Sequence, residues 1–373
     1  MMASIYVHLP FCPYICPYCD FAKWPFRRSS AERYLSGLRA EIASAPPIVG
    51  STLFFGGGTP NTIAPDALVD LIRALRARFG LPADAEITLE ANPDPDLCEA
   101  FADYRRAGVN RLSIGVQSFE PTELKTLGRQ HTPHDVEVVM RRAREAGFDN
   151  LSLDLMFAVP GQTLESWKRS VNHALALEPQ HISTYALTIE PSTPYEEWQK
   201  RQPEAFAGND LEADQYRYAI DRLVQSGFQH YEVSNFARPG FRCRHNQNYW
   251  LNGEYLGLGV GAASYLEGTR SVHTRDLEEY VRAALSGSPI PGSSERLVGA
   301  AQVGEAAMLA LRTEEGVDLS RFRERYGVDF LSSYQRSIRD LEGAGMLEIT
   351  PTHVRLTDAG RFVANDVCAE FIA

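Results

Sequence analysis

The chain has 373 residues, 44% of them hydrophobic, with a formal net charge of −11 and a mean hydropathy of −0.26. That is room for two or three domains of an ordinary soluble protein. No apolar run approaches the ~18 residues of a membrane span, and the acidic balance argues against a broad nucleic-acid-binding surface. The six cysteines show no pairing rhythm. With no basic, apolar leader at the N-terminus, the expectation is a cytoplasmic protein with reduced thiols.

The first β-rich run, Ser4–Leu9, leads into Phe11-Cys12-Pro13-Tyr14-Ile15-Cys16-Pro17-Tyr18-Cys19-Asp20-Phe21. Pro13 and Pro17 keep this segment out of a regular helix, so the three thiols belong to a loop. Thiolates are soft ligands for iron–sulfur clusters, zinc or copper. A structural zinc site needs four protein ligands, and only His8 is near enough to be the fourth. A disulfide would strand one cysteine. An iron–sulfur cubane takes four ligands, so a three-cysteine loop leaves one iron open to a small molecule.

The second run, Ser51–Phe55, ends in Gly56-Gly57-Gly58-Thr59-Pro60. Glycines there allow close approach of backbone to a ligand, or simply a tight turn. The third, Glu86–Glu90, ends in Glu90-Ala91-Asn92-Pro93; a carboxylate at a strand end is either solvated or faces a ligand. The fourth, Arg111–Val116, continues into Gln117-Ser118-Phe119 and then Leu127-Gly128-Arg129-Gln130-His131. The fifth, Asn150–Phe157, carries Asp154 inside an apolar strand, where a buried carboxylate needs a partner; Arg129 is the expected one. The sixth is His181–Leu187.

Amphipathic helical patterns over Ala31–Ala45, Pro65–Arg78, Pro95–Ala107, Pro133–Ala146 and Leu164–Leu177 separate these runs. Strands alternating with helices predict βα units around a parallel sheet. Six units fall short of a closed eight-stranded barrel. The expected fold is therefore α/β, a partial (β/α)6 TIM-like barrel with its reactive groups at the C-terminal ends of the strands.

Further strands are expected over Gly227–Phe236 and Gly257–Leu266, and the Ser-, Gly- and Pro-rich stretch 286–294 reads as a linker. Helical patterns at Glu295–Leu311, Leu319–Tyr326 and Leu331–Ala344, a hairpin over Met346–Leu356 and a last helix from Asp358 suggest a winged-helix-like module. Such modules often place a helix in the DNA major groove, but Asp340 and Glu342 oppose Arg336 and Arg339, so a lid or a partner-docking role is expected instead. The domains are then 1–190, a barrel extension 191–285, the linker, and 295–373.

The C-x3-C-x2-C triplet with Gly56–Pro60, Glu90–Pro93, Gly115–Phe119, Asp154–Thr163 and Glu232–Phe236 resembles the radical S-adenosylmethionine (SAM) proteins, and among them the anaerobic coproporphyrinogen oxidase group. The resemblance implies a [4Fe–4S] cluster on Cys12, Cys16 and Cys19, with SAM on the open iron. It implies SAM contacts from Tyr6, Tyr18, Gly57, Gly58, Thr59, Glu90, Gln117, Arg129 and Asp154.

Two features depart from the oxidase pattern: Phe21 stands where the oxidase has a fourth cysteine, and the first cysteine is already residue 12. Both are features of a sister group, the HemW-type heme chaperones. The segment Cys243-Arg244-His245-Asn246-Gln247-Asn248-Tyr249-Trp250 is similar to that group's HNxxYW motif. The resemblance therefore implies heme as a third cofactor, ligated by His245, and heme-accepting apo-proteins as partners. Oxygen-independent decarboxylation of coproporphyrinogen III is the alternative, and SAM cleavage would need an electron donor. Neither nucleic acid nor an integral membrane segment is expected.

Overall fold

The protein is described from a computed structural model covering residues 2–372. Six strands follow in chain order: β1 (Met2–Leu9), β2 (Val49–Gly57), β3 (Glu86–Ala91), β4 (Arg111–Gln117), β5 (Leu151–Phe157) and β6 (His181–Ala186). Each pairs in parallel with the next.

Strand side chains alternate between faces with a period of two, and here the two faces differ in kind. Ile5, Val7, Leu53, Phe55, Ile87, Leu89, Leu112, Ile114, Leu153 and Leu155 join the main core under the helices. The intervening residues Ser4, Tyr6, His8, Thr52, Glu86, Thr88, Glu90, Arg111, Ser113, Ser152, Asp154, His181 and Ser183 form the opposite face. A barrel interior is more usually filled by branched aliphatic residues. This lumen is polar, and that is what makes it a site.

The covering helices form for local reasons. Pro65–Phe79 starts on a proline, buries Leu68, Leu71, Ile72, Leu75 and Phe79, and stops at the left-handed Gly80, where glycine carries no Cβ penalty. Helices Pro133–Glu145 and Leu164–Ala176 each open on a capping box, Thr132 with Asp135 and Thr163 with Ser166. The single helix expected over Pro95–Ala107 is split into a short turn, Asp96–Cys98, and the helix Phe101–Ala107.

Six more strands extend the sheet: β7 (Gln229–Glu232), β8 (Asn235–Ala237), β9 (Tyr255–Leu258), β10 (Ala263–Leu266), β11 (Thr269–His273) and β12 (Gly292–Arg296). The order is β12-β11-β10-β9-β1-β2-β3-β4-β5-β6-β8-β7, so the sheet stays open. β9 runs parallel to β1 and adds a seventh parallel strand to the expected six. Gly259 (φ +105°) and Gly261 (φ +68°) turn the expected Gly257–Leu266 strand into the β9–β10 pair. The linker expected at 286–294 is also corrected. Its last residues enter β12, which pairs antiparallel with β11 and sets Glu295 opposite Arg270, with an Nη1–Oε1 distance of 3.1 Å. The backbone ladder to β11 thus takes in the last three residues of a stretch whose composition is loop-like.

A second apolar cluster from Val303 to Phe371 holds the C-terminal helices, among them Ala300–Leu311, Leu319–Tyr326 and Gln335–Gly343. It includes a small sheet in the order β13 (Val317–Asp318), β15 (His353–Leu356), β14 (Leu347–Ile349). This module docks on the helix Arg244–Trp250 and on the β7–β8 turn. Arg325 donates to the Leu251 carbonyl at 2.8 Å, Arg242 pairs with Glu314 at 2.8 Å, and Val233 N–H donates to the Arg312 carbonyl. No helix among the described residues is long and apolar enough to cross a membrane.

Candidate functional site

A cavity of about 420 Å³ opens at the C-terminal ends of the strands and runs down into the polar lumen. That size suits one drug-sized ligand inside, so a second would lie at or beyond the mouth. Cys12, Cys16 and Cys19 line it, with Tyr18, Gly57, Gly58, Thr59, Glu90, Gln117, Arg129 and Asp154. Eleven of the thirteen residues singled out from the sequence thus share one space; Tyr6 and His245 stand behind its wall.

The cysteine loop is held at both ends. Trp24 N–H donates to the Pro10 carbonyl and Phe26 N–H to the Cys12 carbonyl, both at 2.8 Å. His8 Nε2 reaches the Ala22 carbonyl at 2.7 Å, and its Nδ1 lies 3.0 Å from the Tyr6 hydroxyl. Tyr6 therefore positions the ring that clamps the loop and stacks on Phe54, a cavity residue.

The triple glycine is explained by this stem. A Cβ on Gly58 would sit 2.7 Å from the Pro10 carbonyl carbon and 2.8 Å from Phe11 N, and one on Gly57 would strike the His8 ring. The space is needed so that Gly58 N–H and Thr59 N–H can donate to the Leu9 and Phe11 carbonyls at 2.9 and 2.8 Å. The glycines lock the two strand ends together, and a ligand approaching there meets a fixed backbone edge.

Arg129 does not pair with Asp154, contrary to expectation. Its Nη2 donates to Gly115 O at 2.6 Å and to Asn92 Oδ1 at 2.9 Å, and its Nη1 lies 3.8 Å from Cys16 Sγ. The loop carrying it packs Gly128 against Pro17, which draws the guanidinium to the sulfur side. Asp154 instead accepts from Ser113 Oγ at 3.0 and 3.2 Å and from Ser152 Oγ at 3.4 Å, with Arg111 as the nearby cation.

Burial dominates the electrostatics. It pushes the Glu90 carboxyl up to about 8, helped by the charge of Asp154 and opposed by the Gly57 N–H that Glu90 accepts at 3.2 Å. Asp154 is raised too, again by burial. Glu90 and Asp154, both half-buried, line the same cavity from two strands separated by β4. Gln117 holds φ +66° at a break in the β4–β5 register, a conformation that costs a non-glycine residue about 1 kcal/mol or more and turns its side chain into the cavity.

The donor set fits an iron–sulfur cluster. Three free, half-buried thiols line one wall, and the other cysteines, Cys98, Cys243 and Cys368, are buried elsewhere. Burial pushes the Cys12 thiol up to about 11 and raises Cys19. A bound metal reverses that preference, because a coordinating thiol is deprotonated outright. Among the described residues no three His, Cys, Asp or Glu side chains converge on a single ion. Phe21 stands on the cavity wall, 64% exposed.

His245 lies outside the cavity lining. It is 1% exposed, with Nδ1 2.8 Å from Thr52 Oγ1 and Nε2 2.8 Å from the Tyr249 hydroxyl. Both ring nitrogens are occupied, so in this conformation none is free for iron. The imidazole instead braces its helix against β2, and the Glu86 carboxylate caps that helix through Arg244 N–H and His245 N–H at 3.0 and 2.9 Å.

Sequence reasoning missed the lumen residues Arg111, Ser113, Ser183 and Tyr185, and Asn246 from the HNxxYW helix, all on the cavity wall. The period-two alternation of polar residues in each strand was the signal that could have found the strand members.

The radical SAM superfamily pattern matches residues 6–174, and the HemN C-terminal domain matches residues 300–363. Fold and site together define a radical SAM protein with a HemN-type C-terminal domain. The chain is 36% identical over 377 residues to the heme chaperone HemW of Bacillus subtilis (strain 168), covering 100% of this chain and 99% of that protein. It is 40% identical over 264 residues to the heme chaperone HemW of Escherichia coli (strain K12), covering 69% of each. It superimposes on the coproporphyrinogen III oxidase HemN of Escherichia coli with a TM-score of 0.86 and 25% identity, over 99% of this chain and 89% of that one. The chain belongs to the HemW family.

Proposed function

We propose that the protein is a heme chaperone: it binds heme and hands it to apo-proteins in the cytoplasm, and carries a [4Fe–4S] cluster on Cys12, Cys16 and Cys19 with SAM on the open iron. The observation that carries this reading is end-to-end similarity to proteins named heme chaperone HemW. Phe21 on the cavity wall supports it, since the oxidase pattern has a cysteine there. When bound, cluster and SAM supply one-electron chemistry if an electron donor delivers the electron, and a SAM-responsive structural site if none does. The chain's own part is to orient them: Arg129 beside Cys16, Gly58 and Thr59 as a fixed edge, and Glu90 and Asp154 as acceptors.

In this reading heme binds at the aromatic side of the cavity mouth, a reading supported by the exposure of Phe21 and Tyr185 at 64% and 41%, with His245 bracing the wall behind. A second reading, oxygen-independent coproporphyrinogen III oxidase, is favoured by the close fold match to HemN. One experiment separates the two. Anaerobically reconstituted protein is incubated with SAM, a reductant and coproporphyrinogen III, and separately with heme and an apo-cytochrome. Heme transfer without protoporphyrinogen supports the chaperone; protoporphyrinogen formed together with 5′-deoxyadenosine replaces it with the oxidase.

A further inference from the structure

Among the described residues Arg111 is a cation with no hydrogen-bonded partner, in a place where cations are costly. It opens β4 at the deep end of the lumen and is 2% exposed, among the largest side chains so buried. Burying a charge is unfavourable unless it is paired and hydrogen-bonded. Yet its Nε is buried without a hydrogen-bond partner, and it forms no ion pair among the described residues. Glu86 and Asp154 lie near enough to hold it charged by Coulomb attraction without engaging its fork. Glu86 is occupied capping the Arg244–Trp250 helix, and Asp154 is occupied by serine hydroxyls. Arg111 lines the cavity together with Ser183, Asn246 and Tyr185.

We infer that Arg111 anchors a carboxylate-binding subsite at the floor of the lumen. A guanidinium presents parallel N–H donors that match a carboxylate in bidentate fashion. The neighbouring donors on the wall, the Ser183 hydroxyl and the Asn246 amide, suit the same ligand. Ser183 and Tyr185 share one face of β6 and stand about 7 Å apart at roughly 3.4 Å per residue. A ligand entering at the aromatic rim therefore passes the Ser183 hydroxyl on its way to the floor. Heme carries that chemistry through its propionates; SAM also bears a carboxylate, but SAM bound on the open iron has that end committed to the cluster, so the SAM pair is the comparison that tells the two sources apart. The inference rests on the cavity being the ligand site; its heme arm rests on the chaperone reading, and its SAM arm does not.

The test crosses two changes, one on the protein and one on the ligand. Reconstituted wild-type protein and Arg111→Gln are titrated with heme and heme dimethyl ester, and with SAM and decarboxylated SAM. Hydrogen bonds to charged groups predict a roughly 10- to 100-fold loss of affinity in the variant for the ligand whose carboxylate is held. The esterified or decarboxylated form should bind the two proteins alike. Coupling in the heme pair assigns the subsite to a propionate, and coupling in the SAM pair assigns it to SAM. Absence of coupling in both pairs overturns the inference. Arg111→Lys keeps the charge and loses the fork; it serves if the glutamine variant does not fold, and should recover only part of the affinity. If heme fails to bind wild-type protein at all, the chaperone reading falls while the SAM arm still decides the subsite.

Discussion

Glu90 offers a sharp check on the electrostatics of the lumen. Its carboxyl is raised from the ordinary 4.5 to about 8 by burial first and the charge of Asp154 second. Between those values the folded chain holds a proton that the unfolded chain has released, so stability falls as pH rises through this window. At about 1.4 kcal/mol per pH unit the full effect is at most about 5 kcal/mol. Glu90→Gln removes the titration and keeps an oxygen for the Gly57 N–H now 3.2 Å away. The variant should therefore gain stability relative to wild type steadily from about pH 4.5 to about pH 8, most of all at the upper end. Urea unfolding of both proteins in cluster-free form at half-unit pH steps reads this directly. A stability difference that stays flat across the window would refute the claim that Glu90 is protonated in the ligand-free lumen.

Three further outcomes are expected. Serine in place of Cys12, Cys16 or Cys19 should each abolish the visible absorbance and iron content of the anaerobically reconstituted protein; full iron in any one of them removes that residue from the ligand set. Gly58→Ala forces a Cβ against backbone of Pro10 and Phe11, which cannot swing aside as a side chain would. It should cost about 1–3 kcal/mol and weaken SAM binding in equilibrium dialysis, and an unchanged melting temperature would remove the close-packing argument. His245→Ala should cost about 2–4 kcal/mol, since it leaves Thr52 and Tyr249 without their partner and opens a cavity, while the Soret band of bound heme keeps its position; a shifted or lost band in the folded variant would restore His245 as the iron ligand.

The six βα units were legible because each strand is bounded by turn residues and each helix carries apolar residues on one face. Cys12 to Cys19, Gly56 to Thr59 and Glu90 were legible as residues at strand ends, where ligands gather, and Asp154 as a carboxylate inside an apolar strand. Arg111 was not, because an arginine at the start of a strand run reads as a solvated boundary residue; only the depth of the lumen makes it buried. The Arg129–Asp154 pairing failed for a related reason: the loop carrying Arg129 is steered by the packing of Gly128 on Pro17, a long-range contact that no local pattern encodes. β12 was hidden by its glycine and serines and by the prolines just before it, since its pairing with β11 is a long-range backbone contact. His245 carried a motif but not its hydrogen bonds, and those bonds decide what its nitrogens can do.

The two-faced strands also explain how one fold serves two related proteins. The apolar face packs on the helices and sets the backbone, and the lumen face holds polar groups that hydrogen-bond one another. A change in either layer is penalised, through lost packing on one side or an orphaned polar group on the other. Position 21 lies in neither. Phe21 is 64% exposed on the cavity wall, so exchanging it with cysteine alters what the mouth presents to a ligand while leaving both layers intact. A backbone shared at a TM-score of 0.86 with only 25% identity is what such a division predicts. The difference between oxidising a porphyrinogen and carrying a heme should then be sought at the rim, and Phe21→Cys, judged by iron content and heme affinity together, is the substitution that would reveal it.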